Sequence, residues 1–309
     1  MAEILLSLTI IGVVAAITLP SLTGNINERT WNTQRKALYA RFSQAFSLMP
    51  SLNGYGTLDD TTDTAAETFV TAGLSKVLKI NNICDNQHFS DCGVNSHVTN
   101  FVGSKVDMPP TLHDLNASFS ETNNGHNHHS FTNKKAVAFE TQNGESIVVY
   151  YNPTCKYDKL TTYESDFIQN FMCANFIFDL NGLKGPNTVG KDIGFITVYH
   201  PVDGVVASPR LRSPQPQTIH TWHSISKICR DTYDSSSRAI DFYEAASVWV
   251  NSKLWGVADG TTIFSSSKVL NSNGKMYWRT VNGNGLQLFH LYSMTEAGGF
   301  ANTLCVDEN

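Results

Sequence analysis

The chain has 309 residues, of which 16% are charged and 41% are hydrophobic, and its formal net charge at pH 7 is -5. This length exceeds what a single core usually needs, so we expect one or two globular units. The negative net charge, with no recurring basic cluster, argues against a nucleic-acid-binding protein.

The first predicted element is an uncharged segment, Ile4–Asn27, which directly follows Glu3. Its apolar part is interrupted by Ser7, Thr9 and Thr18, whose hydroxyls can bond back to helix carbonyls. At about 20 residues, this part is long enough to cross a hydrocarbon core as a helix. The sequence therefore predicts a membrane-inserted helix at the start of the chain.

Three other interpretations of this segment fit less well. A secretory signal peptide has positive charge before its apolar core, whereas Met1-Ala2-Glu3 supplies an acid. An ordinary anchor places Lys or Arg on its cytoplasmic side, and the nearest basic residue, Arg29, lies beyond the far end. A buried helix of a soluble core is rarely apolar on all sides for so long.

Gly12 and Pro20 both weaken the predicted helix. Pro20 cannot donate to the carbonyl four residues before it, and its ring crowds the preceding turn. We therefore expect a kink or a locally melted stretch between these two residues.

The acid at Glu3, the apolar run and Pro20 seventeen positions after the acid together resemble the N-terminal segment of type IV pilins and of type II secretion pseudopilins. In that family the carboxylate pairs with the N-terminal amine of the adjacent subunit, since an unpaired ion in an apolar environment is costly. The resemblance thus implies assembly roles for Glu3, Gly12 and Pro20. Processed chains of the family begin with an N-methylated aromatic residue and one further residue, so we expect two residues ahead of Met1 or a different processing.

A second helical signal follows the apolar segment. One face of this helix is lined by Trp31, Leu38, Phe42, Ala45 and Met49. We expect the helix to end near Pro50 and, joined to the apolar segment, to form a rod of about 75 Å.

The resemblance implies an α+β, type IV pilin-like fold: a long N-terminal helix packed on an antiparallel β-sheet head, with a disulfide-rich C-terminal extension. The expected domains are a pilin helix over 1–50 (membrane or filament core 1–24, amphipathic part 25–50), a globular head over 51–199, a Pro-rich linker or loop over 200–218 and a C-terminal surface region over 219–309.

The six cysteines predict disulfide bonds, because their number is even, they lack metal-ligand spacing, and the N-terminal segment implies export. They are Cys84, Cys92, Cys155, Cys173, Cys229 and Cys305. Sequence alone leaves the connectivity open, and we test nearest-neighbour pairing: 84 with 92, 155 with 173, and 229 with 305. Free buried thiols are the alternative.

Two hairpins are predicted in the head. The first spans 136–151, with an Asn143-Gly144 turn between two β runs. The second, over 174–199, has a Gly-rich turn that begins at Asp179. Its Asp-x-Asn-Gly-x-x-Gly-Pro-Asn sequence looks like a segment frequent in the heads of pilin-like proteins.

Calcium is a possible ligand of this turn. Its candidate oxygen ligands are Asp179, Asn181, Asn187 and Asp192. A metal-free turn is favoured, because the EF-hand pattern is absent and Lys184 adds a cation. We therefore expect no cofactor, with calcium as the alternative. Separately, Asn116 lies in an N-glycosylation sequon, which is a short and nonspecific signal.

The C-terminal third predicts one helix and three strands: Ala239–Val250, Met276–Thr280, Leu286–Leu291 and Thr303–Val306. A cysteine before the helix and another in the last strand are faintly similar to lectin-like modules of bacterial surface proteins. A structural extension of the head, with its tryptophans in the core, is the favoured alternative.

No nucleophile elbow, P-loop, zinc-protease or dinucleotide-binding motif is present in the sequence, so we expect no enzymatic activity. The resemblance implies a subunit held in the inner membrane, processed by a prepilin peptidase and assembled by pilus machinery into a helical homopolymer on the bacterial surface. The alternatives are a type II secretion pseudopilin, a minor tip pilin, or a membrane-anchored adhesin with a lectin-like module.

Overall fold

The computed structural model describes residues 27–48, 65–110, 112, 136–151, 172–199, 206–219, 225–258, 261, 263–270, 276–282, 285–290 and 301–308. Its α-helices are α1 (27–48), α2 (Ala65–Thr68), α3 (Ile225–Thr232), α4 (Phe242–Val250) and α5 (Ser252–Trp255). A π-helical turn, Phe69–Gly73, and two 3-10 turns, Leu74–Lys76 and Phe89–Cys92, complete the helical elements.

The strands are β1 (Ile80–Cys84), β2 (His97–Thr99), β3 (Lys105–Asp107), β4 (Val137–Thr141), β5 (Ser146–Tyr151), β6 (Met172–Asp179), β7 (Ile193–Tyr199), β8 (Val206–Ala207), β9 (Gln217–Ile219), β10 (Ser237–Ala239), β11 (Ile263–Leu270), β12 (Met276–Asn282), β13 (Gly285–His290), β14 (Ala301–Thr303) and β15 (Cys305–Asp307).

A six-stranded antiparallel sheet in the order β1-β4-β5-β6-β7-β8 is the centre of the molecule. The predicted hairpin between β4 and β5 is confirmed, and Gly144 adopts the positive φ of 83° that its turn requires. The second predicted hairpin is confirmed as β6 and β7, joined by the turn over 180–192. Smaller antiparallel sheets pair β2 with β3, β9 with β14, and β10 with β15, and join β11, β12 and β13.

Both faces of the central sheet are covered, which explains the nearly continuous apolar sequence of β6 and β7. On one face, Leu38 and Phe42 of α1 pack with Phe176 of β6, and the two phenylalanine rings are 4.9 Å apart. On the other face, Trp249 of α4 and Trp255 of α5 lie in a core with β7. Alternate side chains of each strand therefore enter different cores.

A buried polar network fastens α4 to the sheet. Asn175 of β6 and Asn251, which follows α4, exchange two side-chain hydrogen bonds of 2.9 and 3.0 Å. Thr197 of β7 donates to Asn175 and bonds Ser247 of α4. All four side chains are at least 98% buried, so each needs these partners.

The predicted α+β, type IV pilin-like fold class is wrong. The described chain is mostly antiparallel β-sheet with short helices: α1 is described over 27–48, and the next longest helix, α4, has 9 residues. The prediction joined the apolar segment and the periodicity from Trp31 onward into one fifty-residue rod. Periodicity identifies the buried face of a helix but does not fix its length. None of the described helices combines the length and apolar character needed to cross a membrane.

The C-terminal third follows its sequence pattern more closely. The predicted helix over 239–250 is observed as α4, which begins after a capping box made by Asp241 and Glu244. The predicted strands correspond to β12, β13 and, with a break at Leu304, β14 and β15. Apolar residues on both sides of the predicted linker share one core.

The described part of that linker, 206–218, contains β8 and the first two residues of β9 and is tied to the last strand by ion pairs. Arg210 lies 3.1 Å from Asp307, and Arg212 lies 2.6 Å from the same carboxylate. Arg212 also pairs with Asp234 at 2.9 Å. The domain boundaries themselves stay a prediction.

Candidate functional site

The predicted assembly residues Glu3, Gly12 and Pro20 lie outside the described residues, as do Cys155 and Asn116. Their roles stay predictions. The structure does describe how the helix after the apolar segment is attached to the sheet, and it describes all four candidate calcium ligands.

Two arginines fix α1 to the head in addition to its apolar face. Arg41 pairs with Glu145 beside the β4–β5 turn, and Glu145 also accepts a hydrogen bond from Thr141. Because Glu145 is only 5% exposed, its charge needs such a partner.

Arg35 is the second attachment. It donates to the backbone carbonyls of Gly190 and Lys191 in the turn over 180–192. Burial, helped by the charge of Arg210, lowers the pKa of Arg35 to about 10, so it stays protonated at neutral pH. Helix α1 therefore reaches the same turn that carries the candidate calcium ligands.

Two of the predicted disulfides are present. Cys84 bonds Cys92 and Cys229 bonds Cys305, which are the pairs given by nearest-neighbour pairing. Cys173 is also disulfide-bonded. The second bridge joins α3 to β15, so it connects the start of the C-terminal region to its last strand.

Asp192 organises the turn. It is fully buried, and its two carboxylate oxygens each accept a hydrogen bond of 2.8 Å, from the backbone amides of Asn187 and Thr188. This explains how Asn187 holds a positive φ of 50°. The predicted ligand Asp192 therefore has a structural role in this turn.

Asp179, the other carboxylate among the candidate ligands, is buried, and no cation of the described residues pairs with it. It is 9% exposed, and it accepts a hydrogen bond from the backbone amide of Asn181 at 3.1 Å. Burial, together with the charge of Asp192, raises the pKa of Asp179 to about 7. A carboxylate without a cationic partner at this depth is a candidate for cation binding.

Oxygen atoms converge around the side-chain amide of Asn187. One of its terminal atoms lies 3.0 Å from Asp179 Oδ2 and 3.1 Å from the backbone oxygens of both Gly182 and Lys184. These three neighbours are acceptors, whereas a fourth, the side-chain nitrogen of Asn95 at 2.9 Å, is a donor. In one orientation the amide nitrogen of Asn187 donates to these three oxygens. In the other, the Asn187 side-chain oxygen and these three oxygens together bind a cation.

A neighbouring orphaned atom fits the second arrangement. Asn181 Oδ1 is buried and has no hydrogen-bond partner among the described residues, because its amide nitrogen turns to Gly185 O at 3.2 Å. The donor set, one carboxylate with amide and backbone oxygens, is the kind that calcium prefers. No cluster of three or more His, Cys, Asp or Glu side chains occurs in the described ranges.

Sequence reasoning missed the backbone oxygens of Gly182 and Lys184, which no residue pattern marks. It also missed Asn95, whose side chain donates to Gly182 O at 3.2 Å and to Asn187 Oδ1 at 2.9 Å. A parallel bridge between Thr99 and Thr188 fixes the turn from the same side. The turn is therefore held by a second segment, far away in sequence.

Comparison with known proteins adds nothing to these assignments: no protein family, no curated protein and no solved structure matches this chain.

Proposed function

We propose that this chain is a structural subunit of an extracellular filament, which assembles through its apolar N-terminal segment. The observation that carries the proposal is the uncharged segment Ile4–Asn27 directly after Glu3. Such a segment is stable in lipid, and outside lipid it must be buried against other protein. Copies of the same segment offer that burial.

Glu3 gives the assembly its register. A carboxylate at the edge of an apolar bundle is costly unless a cation neutralises it, so only packing that brings a cation to Glu3 is favourable. The free N-terminal amine of a neighbouring subunit is the cation we propose.

The disulfide-bonded head suits an exported subunit. Disulfides persist in oxidising compartments and are rare in the cytosol. We propose that the chain is held in the inner membrane and processed by a prepilin peptidase, and that an ATP-driven machine then assembles it into the filament. A pseudopilin or a tip subunit shares this chemistry and differs in copy number.

The test is a comparison of surface fibres from cells that express the wild type, Glu3→Ala or the control Glu28→Ala. Glu28 is also acidic but lies on α1 with its side chain 63% exposed. We expect sheared wild-type and control cells to release fibres made mainly of this chain. Glu3→Ala should leave equal amounts of subunit in the membrane and release no fibres. Unimpaired fibres of Glu3→Ala, or none from the wild type, would refute the proposal.

A second proposal is that calcium binds the turn over 180–192 and stabilises the head. The buried Asp179 carboxylate has no cationic partner among the described residues and lies beside the unpartnered Asn181 Oδ1, and these two observations favour it. Asp179, Asn181 and Asn187 would hold the ion together with the Gly182 and Lys184 carbonyls. A bound cation would neutralise Asp179, whose charge otherwise opposes folding at neutral pH.

Thermal unfolding after chelation tests this second proposal. Added calcium should raise the Tm of the wild type and of the control Asp107→Asn, whose side chain is 87% exposed. It should leave the Tm of Asp179→Asn unchanged. A wild-type Tm that does not change when calcium is added would refute this proposal and support the metal-free turn, in which the Asn187 amide donates hydrogen bonds to the surrounding oxygens.

A further inference from the structure

A cleft of about 720 Å³ opens between α1, the end of β8, the N-terminal end of α4 and the last residues of the chain. Its volume lies in the range of small-molecule sites, about 300–1,000 Å³. The cleft is separate from the calcium candidates. Its walls come from four parts of the sequence, so no local motif marks it.

Charge in the cleft is balanced. The charged side chains described at its walls are three cations and three acids: Arg35, Lys36, Arg238, Asp241, Glu244 and Glu308. Arg238 holds Glu244 through two hydrogen bonds of 2.7 and 2.8 Å. With no excess of either sign, the cleft offers little attraction to a strongly charged ligand.

Tyrosine rings flank the polar groups. Tyr39 on α1 is 36% exposed, and Tyr243 on α4 is partly buried. Tyr243 is held in place because its ring packs 4.9 Å from that of Tyr199, and its carbonyl accepts a hydrogen bond from the Tyr199 hydroxyl. A ring fixed before binding costs little entropy when a ligand stacks on it.

Asp241 supplies an acceptor at the same place. One of its oxygens caps α4 by accepting from the Glu244 amide at 2.8 Å. Burial and the nearby Glu244 raise the pKa of Asp241, so hydrogen-bond donors from a ligand would stabilise its charged form. Ser208 adds a hydroxyl to the wall.

From this combination we infer that the cleft binds a short, uncharged oligosaccharide. The C–H faces of sugar rings stack on aromatic rings, and sugar hydroxyls hydrogen-bond to carboxylates and to charged donors. Balanced charge favours a neutral sugar over an acidic one. The inference does not depend on filament assembly, because binding is a property of one subunit.

The test uses the full chain, purified in a detergent without a sugar head group, on an array of neutral and acidic oligosaccharides. The best neutral sugar is then titrated calorimetrically into the wild type and its variants. We expect Tyr39→Ala to raise Kd about three- to tenfold, since it removes one stacked ring. Asp241→Asn should also raise Kd, while asparagine keeps the helix cap.

Two variants serve as controls. Tyr39→Phe retains the ring, and Leu48→Ala changes an exposed residue of α1 that does not line the cleft, so both should bind as the wild type does. Binding should not change with salt, because the ligand is neutral. Binding of no sugar, binding of acidic sugars alone, or an unchanged Kd in Tyr39→Ala would overturn the inference.

Discussion

The two described disulfides should differ in how much they stabilise the fold. Cys229 and Cys305 are separated by 76 residues in sequence, and Cys84 and Cys92 by 8. In the chain-entropy treatment, a bridge stabilises by restricting the unfolded chain, and the effect grows with the logarithm of loop length. It gives about 4.5 kcal/mol for the long loop and about 2.5 kcal/mol for the short one.

The perturbation is the paired replacement of each bridge by alanine, which removes two sulfur atoms in both cases. The four cysteines are all at least 95% buried, so the local packing losses are similar and largely cancel in the comparison. Guanidinium unfolding followed by tryptophan fluorescence measures the loss, since Trp249 and Trp255 are almost fully buried in the core.

We expect removal of the long bridge to cost about 2 kcal/mol more than removal of the short bridge. Equal losses, or a larger loss from the short bridge, would show that loop length in the unfolded chain does not set the difference. The m-value should rise on removal of either bridge, and more for the long one, because the unfolded chain then exposes more surface.

Three further predictions concern buried polar groups. Arg41→Met should lower the free energy of unfolding, measured by urea titration, by about 3 kcal/mol, because it leaves the Glu145 carboxylate buried without a cation. Adding Glu145→Gln to this variant should recover much of the lost stability. Asn175→Ala should cost about 2 kcal/mol by leaving Asn251 without its amide partner, and a cost near zero in urea unfolding would contradict the assigned network. The pKa of Asp179 is about 7 when folded and 3.8 in its unperturbed state, so its contribution to stability is complete below about pH 4 and is lost as the pH rises through about 7. When calcium-free protein is unfolded at a series of pH values, Asp179→Asn should reduce this loss of unfolding free energy with rising pH. An equal pH dependence in wild type and variant would refute the assignment.

Local patterns predicted those elements whose signals lie within a few residues. The β4–β5 hairpin has an Asn-Gly turn between apolar runs, and α4 has a capping box at its start. In contrast, β1 was missed: Asn81 and Asn82 interrupt its sequence and are exposed. Its position depends on pairing with β4, more than fifty residues later, which no local pattern reveals.

The candidate calcium site shows the same limit. Side chains with the right chemistry were identified, but the sequence did not reveal that both oxygens of Asp192 accept hydrogen bonds from neighbouring backbone amides. The carbonyls of Gly182 and Lys184 carry no sequence signal, because every residue has one. The sequence thus predicted the type of atom at this turn and not which atoms meet.

The attachment of α1 has a mechanical consequence. A pull on the chain ahead of this helix reaches the head along the helix axis, where the buried face, the Arg41–Glu145 pair and the bonds of Arg35 resist together. To separate α1 from the head, such a force would have to break these three sets of contacts together rather than one after another. Tension is thereby delivered to the β4–β5 and β6–β7 turns, which belong to the four middle strands of the sheet.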